Sequence, residues 1–144
     1  IVQMVDSYDE VLGNSDIIAI HSALSDDNYH FFNDKAFNKM KDGVILVNCA
    51  RGGLVDNKAL LDALETGKVG FAGLDVVENE RLVVGKNNPS YDDEILNRLI
   101  NHQNMDFYPH ISYFTTTSMR NQACYSLDSV VEVLENGNSK NRVN

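Results

Sequence analysis

Short apolar runs alternate with helix-patterned polar stretches along most of this chain. Residues 16–21 (Asp-Ile-Ile-Ala-Ile-His) form one run, residues 44–50 a second and residues 69–76 a third. Runs of this length with little polar alternation predict strands buried on both faces, as in parallel sheets. Between the first two, Asn33 reads as a helix N-cap, with Phe32 and Phe37 as a hydrophobic staple and Ala36, Phe37 and Met40 as one apolar face. Gly43 closes that helix. Between the second and third, Asp56 caps a helix through Leu60, Leu61 and Leu64 that Gly67 ends. Upstream, residues 1–5 read as a short strand, and Ser7 with Glu10 as the capping box of a helix stopped by Gly13. Downstream, residues 77–91 form a polar loop containing Asn87-Asn88-Pro89, long for a connection and therefore a candidate for function. A short helix at 94–100, a strand at 105–107 ended by Pro109, and a helix over 115–135 complete the pattern. The last helix sets Met119, Ala123, Leu127, Val130, Val131 and Leu134 on one stripe, read as core packing, and Gly137 terminates it.

Strands alternating with helices of this size predict βαβ units, hence an α/β fold with a parallel sheet and helices on both faces, plus a C-terminal helix. The 144 residues suit one domain's length, with 43% hydrophobic and 23% charged residues. No apolar run approaches the ~20 residues of a membrane span. The chain starts at Ile1, with Asp6, Asp9 and Glu10 close behind, and is expected to be processed or part of something longer, without a leader. A net charge of −9 argues against a nucleic-acid partner, which needs a basic face. It leaves room for a small anion held by one Arg in a shielded pocket. Cys49, Cys124 and the four histidines show no metal-ligand spacing, and the thiols suit a reducing cytoplasm.

Ligands of open parallel sheets bind beyond the carboxyl ends of the strands. At those ends stand His21-Ser22-Ala23, then Cys49-Ala50-Arg51-Gly52-Gly53, then Asp75, Glu78 and Glu80, and finally Pro109-His110. An Arg offers a planar fork for a carboxylate, and a His exchanges protons near neutral pH. A carboxylate beside that His favours its charged form. These are the parts needed to interconvert a 2-oxo acid and a 2-hydroxy acid.

The motifs at these positions match a known family. Val47-Asn48-Cys49-Ala50-Arg51-Gly52-Gly53-Leu54-Val55-Asp56 resembles the VNxxRGxLVD signature of the D-isomer specific 2-hydroxyacid dehydrogenases. Residues 73–80 (Gly-Leu-Asp-Val-Val-Glu-Asn-Glu) resemble their G-x-D-V-x-E-x-E segment, and Pro109-His110 with Thr115 their PH-x-x-x-x-T segment. His21, Asn28 and His30 are similar to H-V-P-x-x-x-x-N-x-H. The loop after Glu80 and the Tyr113-Phe114 pair look most like the D-lactate and D-2-hydroxyisocaproate dehydrogenase branch. The resemblance implies a Rossmann-like, incomplete NAD-binding domain over residues 1–112 and a C-terminal helix at 113–144 returning to a substrate domain. It implies NAD as cofactor, a cytoplasmic enzyme and a homodimer at full length. By its register Arg51 holds the substrate carboxylate, His110 is the acid/base and Glu80 pairs with His110. His21, Ser22, Ala23, Asn28, Cys49, Ala50, Arg51 and Asp75 fall where the family touches NAD, and Tyr113 faces the substrate side chain.

The chain departs from the pattern in places. His21-Ser22-Ala23 replaces H-V-P, Tyr108 stands where a small hydroxyl residue is common, and no G-x-G-x-x-G occurs. Without those glycines and the substrate domain, the isolated residues 1–144 are expected to be inactive and prone to associate. Plainer readings compete: Arg51 as a surface ion-pair partner, His110 as a strand-end cap, Asp75 as a turn residue, and Glu78 in place of Glu80. His21 stands between a cofactor contact and a structural cap. His30 and His102 read as solvent-facing, Asp26-Asp27 and Asp92-Asp93 as solvated loops, and Phe31, Phe32 and Phe37 as an apolar cluster. A nucleotide-sensing corepressor of the same fold, without turnover, is the alternative function.

Overall fold

The computed structural model describes residues 3–82 and 93–142. Its elements run α1 (Tyr8–Asn14), β1 (Ile17–Ile20), α2 (Asp34–Lys39), β2 (Val44–Asn48), α3 (Asn57–Glu65), β3 (Val69–Leu74), α4 (Glu94–Ile100), β4 (Met105–Phe107) and α5 (Thr116–Asn136). They fall into two compact units, residues 1–110 and residues 111–144.

In the first unit the four strands pair in parallel, in the order β1-β2-β3-β4. Each helix starts where its cap residue stands. Ser7 accepts from the Asp9 amide, Asn33 from those of Lys35 and Ala36, and Asp56 from those of Lys58 and Ala59. Gly43 and Gly67 take left-handed φ of 77° and 76°, turning the chain back into β2 and β3. Gly13 does not stop α1, which runs one residue further to Asn14 and has Ser15 as its C-cap. No strand forms at residues 3–7, where Met4 is 88% exposed and has no neighbour to pair with among the described residues. Residues 1–2, the Asn87-Asn88-Pro89 loop and Asp92 lie outside the described residues.

The strands bury one face each in this unit. Ile18, Ile20, Leu46, Ala72 and Leu74 are buried, whereas Ile17 on the opposite face is 62% exposed. The strand order explains the asymmetry. Successive right-handed crossovers that always step in the same direction place every connecting helix on the same face. Their buried residues, among them Phe37, Leu60, Leu61, Leu64, Leu96 and Leu99, join those of the strands in one core. The apolar runs of β1 and β2 thus match double-sided burial in composition, while the helices of this unit cover one face.

The second unit is α5 and its tail. Thr115 caps the helix, and Gly137, at φ 70°, donates to the Val133 carbonyl at its end. The tail folds back through Glu132, which accepts from Ser139 Oγ at 2.7 Å and from the Lys140 amide at 3.2 Å. The apolar stripe read as core packing buries no residue of α5, and Leu134 is 80% exposed. A stripe at helical spacing marks a face that favours a partner; one helix with a short tail does not provide it.

Gly52 sets the closest approach in the first unit. A Cβ there would lie 2.1 Å from the Val77 carbonyl carbon and 2.5 Å from the Glu78 nitrogen. Both are backbone atoms and cannot swing aside. Gly52→Ala should therefore cost about 1–3 kcal/mol of stability, read as a lowered Tm in thermal unfolding. An unchanged Tm would mean the two loops do not pack this closely.

Candidate active site

Four segments leave the carboxyl ends of the four strands and carry the polar residues singled out above. Asn48, fully buried at the end of β2, shapes the first of them. Its Oδ1 accepts from the Ala50 amide at 3.0 Å, and its Nδ2 donates to the Arg51 carbonyl at 3.0 Å. The turn 48–51 is thus closed on a single side chain, a role the spacing of the sequence did not single out. Arg51 caps the short turn Gly52–Leu54, and its Nη1 donates to the Ala50 carbonyl at 2.6 Å.

Arg51 lines an open cavity of about 620 Å³ with His21, Ser22, Ala23, Leu24, Cys49 and Ala50. The cavity spans the ends of β1 and β2. Its volume suits part of a dinucleotide rather than a buried metal, and the described residues contain no cluster able to hold a metal ion. Asn28 does not line it. That side chain closes its own loop instead, accepting from the Ser25 amide and donating to the Ala23 carbonyl, each at 2.8 Å. It holds Ala23 in place from behind and borders, with Ser22, a second hollow next to Tyr8 and Phe31.

The third and fourth strand ends meet through Asp75, Glu80 and His110. Asp75 is buried; its amide donates to the Asn48 carbonyl at 2.9 Å, and its own carbonyl accepts from the His110 amide at 2.8 Å. Those two bonds tie the ends of β2, β3 and β4 together. The His110 side chain pairs with Glu80, Nδ1 to Oε1 at 2.9 Å, the two side chains being 40% and 31% exposed. Nδ1 is thereby engaged, and Nε2 is the nitrogen left for proton exchange. The second oxygen of Glu80 is buried and finds no hydrogen-bond partner among the described residues. A buried oxygen left without a partner costs about 1–3 kcal/mol.

Glu78 has different partners. Its Oε1 accepts from the Tyr29 hydroxyl in a short hydrogen bond, and its Oε2 meets His30 Nε2 at 3.0 Å. His30 Nδ1 lies 3.6 Å from Asp56 Oδ2, and its ring stacks on that of Tyr29 at 4.0 Å. His30 is therefore half-buried between two carboxylates, not solvent-facing as its sequence setting suggested. His102 also has a local role, accepting from the Asn104 amide in the turn before β4. Glu78 lies 49 and 48 positions from Tyr29 and His30, and no spacing rule joins it to them.

Arg51 and the Glu80–His110 pair thus leave neighbouring strands, and the backbone contact at Gly52 brings their loops together. His110 is not among the described residues lining the Arg51 cavity. Tyr113 belongs to the second unit, where its ring meets Phe114 edge-on.

The family model described as "D-isomer specific 2-hydroxyacid dehydrogenase, NAD binding domain" matches residues 1–112. A D-lactate dehydrogenase of Treponema pallidum is 42% identical over 131 residues, covering 89% of this chain and 39% of the relative. A D-lactate/D-glycerate dehydrogenase of Pediococcus acidilactici is 38% identical, covering 96% of this chain and 43% of the relative. The crystal structure of the Treponema pallidum enzyme superposes with a TM-score of 0.83 at 40% identity, over 90% of this chain and 40% of that one. The NAD-complexed form of a D-isomer specific 2-hydroxyacid dehydrogenase from Lactobacillus delbrueckii ssp. bulgaricus gives 0.89 at 31% identity, over 96% and 43%. The chain therefore spans well under half the length of these relatives.

The Glu78 contact has a spectroscopic consequence. The hydrogen bond to Glu78 raises the Tyr29 hydroxyl above its ordinary value of 10.0, helped by burial and by the charges of Glu78 and Asp56. With the folded value raised, the stabilisation is full below pH about 10 and is lost as pH rises through the folded value. Subtracting the ultraviolet pH titration of a Tyr29→Phe protein should isolate a phenol ionising late, and Glu78→Ala should move it down. A Tyr29 that ionises at 10.0 in both proteins would refute the contact.

Proposed function

This chain belongs to the D-isomer specific 2-hydroxyacid dehydrogenase family, and on that premise we propose that the protein containing it interconverts a 2-oxo acid and a D-2-hydroxy acid with NAD. The observation that carries the proposal is the Glu80–His110 pair, held at strand ends beside the Arg51 turn. Similarity to relatives described as D-lactate dehydrogenases supports pyruvate, or a close analogue, as the 2-oxo acid.

The cavity between β1 and β2 fits the cofactor's nicotinamide side by position and by lining. Ser22, Ala23, Cys49 and Ala50 offer backbone and small side chains, with His21 and Arg51 at the rim. Asp75 would close this region from the end of β3, and Asn28 would fix the Ala23 loop against it. When bound, NADH supplies the hydride for reduction of the oxo carbon. Arg51 holds the substrate carboxylate through its two-pronged guanidinium and polarises the neighbouring carbonyl. His110 gives its Nε2 proton to the carbonyl oxygen as the alcohol forms, and takes it back in the reverse direction. Glu80 accepts from Nδ1, fixing the tautomer and the ring's orientation. Tyr113 bounds the substrate side chain. A reducing cytoplasm and a homodimer at full length complete the proposal. Among the described residues no helix is long and apolar enough to cross a membrane.

In the full-length protein, His110→Asn should lower turnover by on the order of 10²–10⁴, the usual contribution of a positioned acid/base, while NADH binding by fluorescence titration persists. Native turnover would refute the assignment. Arg51→Lys keeps the charge but loses the fork, so KM for the 2-oxo acid should rise at least about tenfold. An unaltered KM would place the substrate carboxylate elsewhere.

A further inference from the structure

Glu78 has no part in the proposed reaction, yet it is tied down on three sides. Tyr29 Oη and His30 Nε2 hold its two oxygens, and Asn57 Nδ2 donates to its backbone carbonyl at 3.3 Å. His30 is itself anchored: its amide donates to the Gly53 carbonyl at 2.8 Å, and Asn33 Nδ2 donates to its carbonyl at 2.8 Å. Glu78 therefore fastens the loop after β3 to the loop before α2 and to the start of α3.

The chain turns directly after Glu78. Asn79 takes a left-handed φ of 62°, and the Glu80 amide closes the turn on the Val77 carbonyl at 3.2 Å. The turn lets the two glutamates take different histidines, Glu78 facing His30 and Glu80 facing His110. Among the described residues, the non-glycine positions with positive φ are His30, Asn79 and His110. All three belong to this one assembly. Left-handed backbone at such residues, and a Glu80 Oε2 that is buried without a hydrogen-bond partner among the described residues, are unfavourable features that the surroundings must over-determine. The bonds to Glu78, the turn bonds from the Glu80 and Leu82 amides to the Val77 and Asn79 carbonyls, and the backbone contact at Gly52 are constraints of that kind among the described residues.

We propose that Glu78, gripped by Tyr29 and His30, is a positioning residue that holds Glu80 against His110. Released from that grip, the turn at Asn79 relaxes, Glu80 rotates to hydrate its buried oxygen, and His110 Nδ1 loses its acceptor. Glu78 acts only through Glu80 and touches neither substrate nor cofactor. The inference rests on the reaction proposed above, in which Glu80 orients the acid/base.

The test is a double-mutant cycle in the full-length protein: Glu78→Ala, Glu80→Gln and both together, assayed for kcat, KM, NADH affinity and the pH profile of kcat/KM. Glu78→Ala should lower kcat by on the order of ten- to a hundredfold, the effect of a misplaced catalytic group, with native NADH affinity. Its pH profile should take the form shown by Glu80→Gln, and the double variant should be no slower than Glu80→Gln alone. Losses that multiply in the double variant, or a Glu78→Ala protein with native kcat, would overturn the inference. If Glu78→Ala does not fold, Tyr29→Phe and His30→Gln enter the same cycle with the same expectations. A Glu80→Gln enzyme with native turnover would instead count against the reaction scheme itself, so the two failures are told apart.

Discussion

Two loops from neighbouring strands touch backbone to backbone because residue 52 carries no side chain. Val77 and Glu78 pass through the space that a Cβ on Gly52 would occupy. The turn bearing Arg51 and the loop bearing Glu80 are fixed to each other by that contact. Asp75 extends the connection, receiving β2 through its amide and β4 through its carbonyl. The cation, the carboxylate and the imidazole thus sit on a frame made of main chain. Side chains then need to settle only their own rotamers.

The frame is built from the ordinary energetics of a parallel sheet. Leu46, Leu60, Leu96 and Leu99 are fully buried, and truncating any of them to Ala would cost about 2–5 kcal/mol. Among the described non-glycine residues, left-handed backbone falls in the loops around the site, at His30, Asn79 and His110. A well-packed core bearing strained loops is the usual division of labour in a site that must hold one geometry.

Much of this was legible in the sequence because local rules govern it. Ser7, Asn33 and Asp56 announce their helices by side-chain chemistry alone, and each caps the helix that follows. The parallel α/β sheet follows from the spacing of apolar runs, and the family from the motifs around Arg51, Glu80 and His110. What was not legible is non-local. Tyr29 and His30 reach Glu78 across 49 and 48 positions, and no periodicity encodes that meeting. The exposed face of β1 and the uncovered stripe of α5 escaped for a related reason: an apolar residue states a preference for burial, and only the assembled layers decide whether it is met. Asn48 was passed over because an amide inside a strand motif looks like filler until its two hydrogen bonds are seen.

In the proposed reaction Arg51 and His110 converge on one small anion. A crystal structure of the full-length protein with NADH and oxamate, an unreactive analogue of a 2-oxo acid, tests it directly. The oxamate carboxylate should sit on the Arg51 guanidinium, with His110 Nε2 within hydrogen-bond distance of the carbonyl oxygen and Glu80 still on Nδ1. An analogue bound beyond the reach of either Arg51 or His110 would contradict it.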